Sequence, residues 1–137
     1  MIMLPFMRRN KIKNLRTQAD QARDRKEWKN AAQFYKQVLD HSPELPSIWV
    51  QYGHALKEQG LLTEAEQAYR HALMLDEENA DTYLQLGHVL KLQGFKEEAL
   101  ESYLRGFELD ENSQNLKSEI RSFSVSDEDK CSARVDD

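Results

Sequence analysis

Leu15, Trp49 and Tyr83 recur at one fixed interval, and Ala19, Gly53 and Gly87 keep it. Ala31, Ala65 and Ala99 repeat it, as do Tyr35, Tyr69 and Tyr103. A period of 34 with alternating small and bulky residues describes a helical hairpin used three times. One hairpin cannot bury its apolar side alone, so successive copies must stack, and stacking leaves an extended face open to another molecule.

The repeat divides the chain of 137 residues into a head at 1–11, three units at 12–45, 46–79 and 80–113, a short helix at 114–123 and a tail at 124–137. Within the units the apolar spacing predicts first helices over 13–26, 47–59 and 81–93, and second helices over 28–41, 62–75 and 96–109. Gly60 and Gly94 share one repeat position between the two helices, where a left-handed residue ends the first. Thr63 followed by Glu66 predicts a capping box for the helix over 62–75. Ala19, Gly53 and Gly87 are the expected points of close approach between paired helices, with Trp49, Tyr83 and the three tyrosines of the second helices filling the space beside them. Gly106 breaks the series Val38, Ala72, so the last second helix depends on cover from 114–123, where Leu116, Ile120 and Phe123 form an apolar stripe. The Ser-, Asp- and Glu-rich segment 124–137 lacks apolar anchors and is expected to be disordered.

Charge is distributed unevenly. Residues 1–29 carry nine Lys or Arg against three acids, and the rest carry ten against 21. The apolar start at 1–7 is followed by Arg8, Arg9, Lys11 and Lys13, the reverse of a secretory signal. No stretch approaches the roughly 18 apolar residues of a spanning helix, so none is expected. The head could instead plug into a partner or a second copy, its basic charge facing the acidic end. Without aromatic interleaving or a nucleic-acid motif, nucleic acid is not the expected ligand. One cysteine, Cys131, makes an intrachain disulfide impossible and suggests a reducing, cytoplasmic setting.

The small, aromatic and alanine positions, with Pro43 closing the first unit, resemble those of the tetratricopeptide repeat (TPR). The prolines expected at the ends of the next two units are replaced by Glu77 and Glu111. The resemblance implies an all-α, right-handed solenoid of three helix-turn-helix repeats with a short C-terminal capping helix. It also implies a concave groove lined by the first helices that binds extended peptide segments. The segments QYGHALKEQG and QLGHVLKLQG further resemble repeats on the N-terminal side of bacterial glycosyltransferases, which implies an accessory domain of such an enzyme.

If the first helices line the groove, Arg16, Val50, Gln51, His54, Lys57, Leu84, Gln85, His88 and Lys91 face a bound peptide. Gln51 with Gln85, His54 with His88 and Lys57 with Lys91 form rungs one period apart. An amide both donates and accepts, so a Gln ladder can grip peptide backbone without reading its sequence. It resembles, with Gln for Asn, the amide ladder of nucleocytoplasmic sugar-transferring enzymes. The clamp for a chaperone's terminal carboxylate is poorly matched: Arg16, Asp20, His54, Asp81 and Gln85 occupy its places, two of them acids. His54 and His88, on adjacent helices about 10 Å apart, are too distant to share a metal ion. No nucleophile and base are set together, so neither catalysis, a metal nor a cofactor is expected. The expected role is a protein-binding adaptor or scaffold, with self-association as the competing reading.

Overall fold

The computed structural model describes the backbone of residues 3–135 and the side chains through Ser124. Seven helices follow one another: α1 (Pro5–Asp24), α2 (Trp28–His41), α3 (Pro46–Glu58), α4 (Leu62–Leu75), α5 (Ala80–Leu92), α6 (Lys96–Leu109) and α7 (Gln114–Val135). The second helices of the three hairpins have the expected limits, and α3 and α5 begin one residue before the expected start. The fold is an all-α solenoid of helical hairpins ending in a capping helix. It divides into two compact units, Met1–Glu77 with α1 to α4, and Glu78–Asp137 with α5 to α7. No helix among the described residues is long and apolar enough to cross a membrane.

In the first unit α1 begins at Pro5, two turns ahead of the expected start at Lys13. Pro5 sits in its first turn after extended Leu4, and no glycine or proline interrupts the chain before Asp24. The segment expected as a separate head is therefore largely helical. Its Met3, Leu4, Phe6 and Met7 remain 44–54% exposed. Farther along, Leu15, Ala19 and Ala22 turn inward. They meet α2, whose Ala31, Tyr35 and Val38 are fully buried. In the next hairpin the Tyr69 ring lies over Gly53, where an added Cβ would stand 3.1 Å from Cε1.

Trp49 departs from expectation. It is half-buried, stacked on His71 at 4.4 Å between ring centroids, with its indole N–H donating to the Pro43 carbonyl at 2.8 Å. Its neighbour Ile48 takes the core place, at 1% exposure. An indole on the flank keeps its N–H satisfied, whereas one at the position of Ile48 would need a buried acceptor.

Each hairpin turn is made in the same way. Lys26, Gly60 and Gly94, which share one repeat position, all adopt positive φ, at 59°, 80° and 89°. The residue itself donates to a carbonyl three back, and the next residue to one five back: Lys26 to Arg23 and Glu27 to Ala22, Gly60 to Lys57 and Leu61 to Leu56, Gly94 to Lys91 and Phe95 to Leu90. This is the Schellman closure, which satisfies carbonyls that a helix end leaves bare. The capping box expected at Thr63 does not form. α4 begins at Leu62, so Thr63 is already inside the helix, and Glu66 pairs with Arg70 at 2.8 Å.

In the second unit the cap unread in the sequence is Asn79, whose side-chain oxygen accepts from the Thr82 amide at 3.0 Å and starts α5. Ser102 of α6 donates to the Tyr83 carbonyl at 2.7 Å. Gly106 leaves room for α7: an added Cβ would lie 3.0 Å from Leu116 Cδ2 and 3.1 Å from the Ala80 carbonyl oxygen. Leu116, 1% exposed, fills the space that a larger residue at 106 would occupy. The backbone of α7 runs on to Val135, beyond the cap expected over 114–123. With neither glycine nor proline after Gln114, nothing in the backbone ends the helix at Phe123. Of the segment 124–137, expected to be disordered, the side chains after Ser124 and residues 136–137 lie outside the described ones.

Candidate functional site

In the first unit the rungs are tied into a local network. Tyr35 donates its hydroxyl to Asp20 Oδ1 at 2.6 Å, and Arg23 reaches the same oxygen at 3.3 Å. Arg23 also donates to Gln51 Oε1 at 3.3 Å, joining α1 to α3. Burial, the bond to Asp20 and its charge push the Tyr35 hydroxyl well above its ordinary range. It therefore stays a donor. His54 is half-buried with its ring edge-on to Trp28, 5.2 Å between centroids. Burial, followed by the charge of Lys57, lowers its pKa, which favours a neutral imidazole. Lys57 is 16% exposed along its side chain and 4.0 Å from the Glu58 carboxylate. Val50 is half-buried and Arg16 is exposed.

In the second unit Gln85 and His88 are half-buried on α5, and Lys91 is exposed one turn farther on. Glu119 of α7 joins the last two. Its Oε2 accepts from Lys91 Nζ at 2.9 Å, and its Oε1 lies 3.4 Å from His88 Nε2. Partial burial raises the Glu119 pKa, but the Lys91 bond and charge, then those of His88, outweigh it and hold the carboxyl below its ordinary value. Leu84, expected as an apolar rung facing a ligand, is a core residue at 5% exposure. α5 is buried along a wide arc that includes Thr82, Leu84, Leu86, Gly87, Val89 and Leu90. Arg16, Val50 and Leu84 share one repeat position and are exposed, half-buried and buried in turn.

The structure thus groups Gln51, His54 and Lys57 on α3, and Gln85, His88 and Lys91 on α5. No cluster of three His, Cys, Asp or Glu able to hold a metal occurs among the described residues.

The sequence matches the family model for the middle TPR-like domain of cilia and flagella-associated protein 70 over residues 15–124. The chain belongs to this family. No curated protein sequence matches this TPR-like domain. Among solved structures, it is similar to the first TPR domain of Spaghetti (RPAP3) bound to an HSP90 peptide, SRMEEVD. That pair shares 21% identity and a TM-score of 0.80, with 85% of this chain and 93% of the other covered. The Sgt2 TPR domain of Aspergillus fumigatus is 22% identical with a TM-score of 0.78, covering 87% and 80%. The type III secretion translocator chaperone SycD of Yersinia enterocolitica is 13% identical with a TM-score of 0.81, covering 87% and 96%. These likenesses establish a shared fold.

Arg23, with Asp20, was expected on the groove side of the first unit, but its partner was not read in the sequence, and Glu119 was missed altogether. Glu119 lies one period after Gln85 and two after Gln51, so it occupies the Gln column of an incipient fourth repeat. Arg23 lies one period before Lys57 and heads the Lys column. The bonds follow this register: Arg23 to Gln51 and Lys91 to Glu119 each span 28 residues. Extending the repeat arithmetic past Ser113 would have revealed it.

Proposed function

We propose that this TPR-like domain is a protein-interaction module whose first helices hold an extended peptide segment, with Gln51, His54 and Lys57 on α3 and Gln85, His88 and Lys91 on α5 as its contacts. The observation that carries this reading is the matched set of amide, imidazole and ammonium groups, each triplet held along one helix face. The amides bond peptide backbone, His54 offers a neutral edge, and the lysines attract carboxylates. Membership of a TPR family and the TPR folds above, one of them peptide-bound, support an interaction role. The related proposals of a cytoplasmic setting and of an accessory role beside a glycosyltransferase rest on composition and on two ten-residue segments. The coarser reading of a peptide-binding TPR domain does not depend on either.

An array of extended peptides probed with the wild-type domain and with Gln51→Ala/Gln85→Ala tests the role. Loss of binding in the double variant supports the amide ladder; unchanged affinity removes it. A second reading, self-association, is favoured by the four exposed apolar side chains at the start of α1. Mass measured across concentration and salt separates the two, since a monomer throughout ends the second.

A further inference from the structure

Beside the Lys91–Glu119 bridge lies a cleft of ≈ 270 Å³ lined by Lys91, Lys96, Ser122 and Phe123. Its volume falls short of the ~300–1,000 Å³ usual for small-molecule sites, so it suits a side chain better than a free metabolite. Two ammonium groups line it, and Glu119 supplies the carboxylate already bonded to one of them. Lys96 opens α6, whose N-cap Phe95 makes no side-chain cap, so bare helix N–H groups lie on that side. The first-turn acids Glu97 and Glu98 are not among the lining residues. Phe123, half-buried, adds an apolar wall, its ring 6.0 Å from that of Tyr103.

We propose that this cleft receives an acidic side chain of the bound peptide, flanked by an apolar residue that packs on Phe123, and that Glu119 is an internal stand-in which competes for Lys91. The inference rests on the peptide-binding reading above and adds the chemistry of its ligand. Charge complementarity selects the occupant. Among the described residues that line the cleft, two are lysines and none is an acid, and the Glu119 carboxylate beside it shows the kind of group to which Lys91 donates. An incoming Asp or Glu is drawn by Lys96 and shares or takes Lys91, while Ser122, whose hydroxyl donates to the Glu119 carbonyl at 2.6 Å, only lines the wall.

The test uses the full chain and the array described above, followed by fluorescence anisotropy on acidic hits and their Gln or Asn counterparts. Acidic residues beside apolar ones should be enriched among the hits. Glu119→Gln removes the competitor and should tighten acidic peptides about two- to fivefold, the effect of one partly exposed charge, while leaving neutral counterparts unchanged. Lys96→Gln, which leaves the Lys91–Glu119 bond in place, should weaken acidic peptides by a similar factor, so the test survives if Glu119→Gln unfolds. Peptides that bind without preference for acids, or with a preference that both variants leave intact, overturn the cleft assignment while the groove reading stands. Failure of every peptide to bind removes both. Displacement of bound peptide by inorganic phosphate or a short oligonucleotide, at concentrations where free acidic peptide does not compete, overturns the assignment in favour of a phosphate site.

Discussion

Lys91 donates to Glu119 across the same 28-residue interval by which Arg23 reaches Gln51. In each unit a cation late in one first helix grips the acceptor early in the next, so the helix that caps the solenoid is held like a repeat. The apolar register agrees. Leu116 is buried at the repeat position that Ile48 and Thr82 occupy in the units before it. At the position where Gly53 and Gly87 receive a tyrosine ring, α7 carries Arg121, too large to seat another second helix.

The Glu119 bridge predicts a pH dependence. A carboxyl whose folded pKa is depressed stabilises the fold above its unfolded value, and that contribution is lost as pH falls through the folded one. The hold of α7 on α5 therefore weakens in acid, below about pH 4.3. Carbon-detected NMR titration should find Glu119 below the ordinary glutamate value, and Lys91→Met should move it upward. A Glu119 titration unmoved by Lys91→Met would contradict the bridge.

Gly87 and Gly53 should respond unequally to a methyl group. A Cβ at 87 would stand 2.6 Å from Tyr103 Cδ1, whereas one at 53 would stand 3.1 Å from the Tyr69 ring. Gly87→Ala should therefore destabilise by about 1–3 kcal/mol through overpacking. At Gly53 a ring shift of a few tenths of an ångström, offset by better helix propensity, should leave the change within about 1 kcal/mol. Urea unfolding of the two variants orders them, and equal losses would contradict the packing described.

Lys26 occupies the left-handed place that Gly60 and Gly94 fill without steric cost. Lys26→Gly should stabilise the domain by about 1 kcal/mol, and Gly94→Ala should cost about 1–2 kcal/mol. For a chain of this size the first corresponds to a Tm rise of about 4 °C. A fall in Tm for Lys26→Gly would show that the turn is not closed at this residue.

Tyr35→Phe removes a donor to an ionised acceptor, a loss of about 1.5–3 kcal/mol by denaturant unfolding. In the background of Asp20→Asn the same change should cost less, because the pair is coupled. Additive losses would place the two groups in independent roles.

The periodic part of this fold was readable because each repeat position has one physical demand. Alanine or glycine stands where helices touch, tyrosine where a ring must fill the gap, and glycine at two of the three turns where φ is positive. The limits of α2, α4 and α6 follow from those demands. What escaped depends on neighbours absent from the period. Trp49 lies on the flank because its indole N–H has the Pro43 carbonyl there, and the core falls to Ile48. Thr63 looks like a cap only until the helix is seen to start at Leu62, while Asn79 caps through an Asx bond hidden in a polar run. Leu84 reads as a ladder rung by register, yet α5 buries that side. Of the candidate site, the three polar columns and the groove-side places of Asp20 and Arg23 were legible, but the bonds of Arg23 to Gln51 and Glu119 to Lys91 were not, since partner choice needs three-dimensional proximity.

The most direct test of the central claim is a backbone amide NMR titration with the tightest peptide from the array. The account predicts that the largest shifts fall at Gln51, His54 and Lys57 on α3 and at Gln85, His88 and Lys91 on α5. Shifts confined to α2, α4 and α6, with those six residues unmoved, would contradict it.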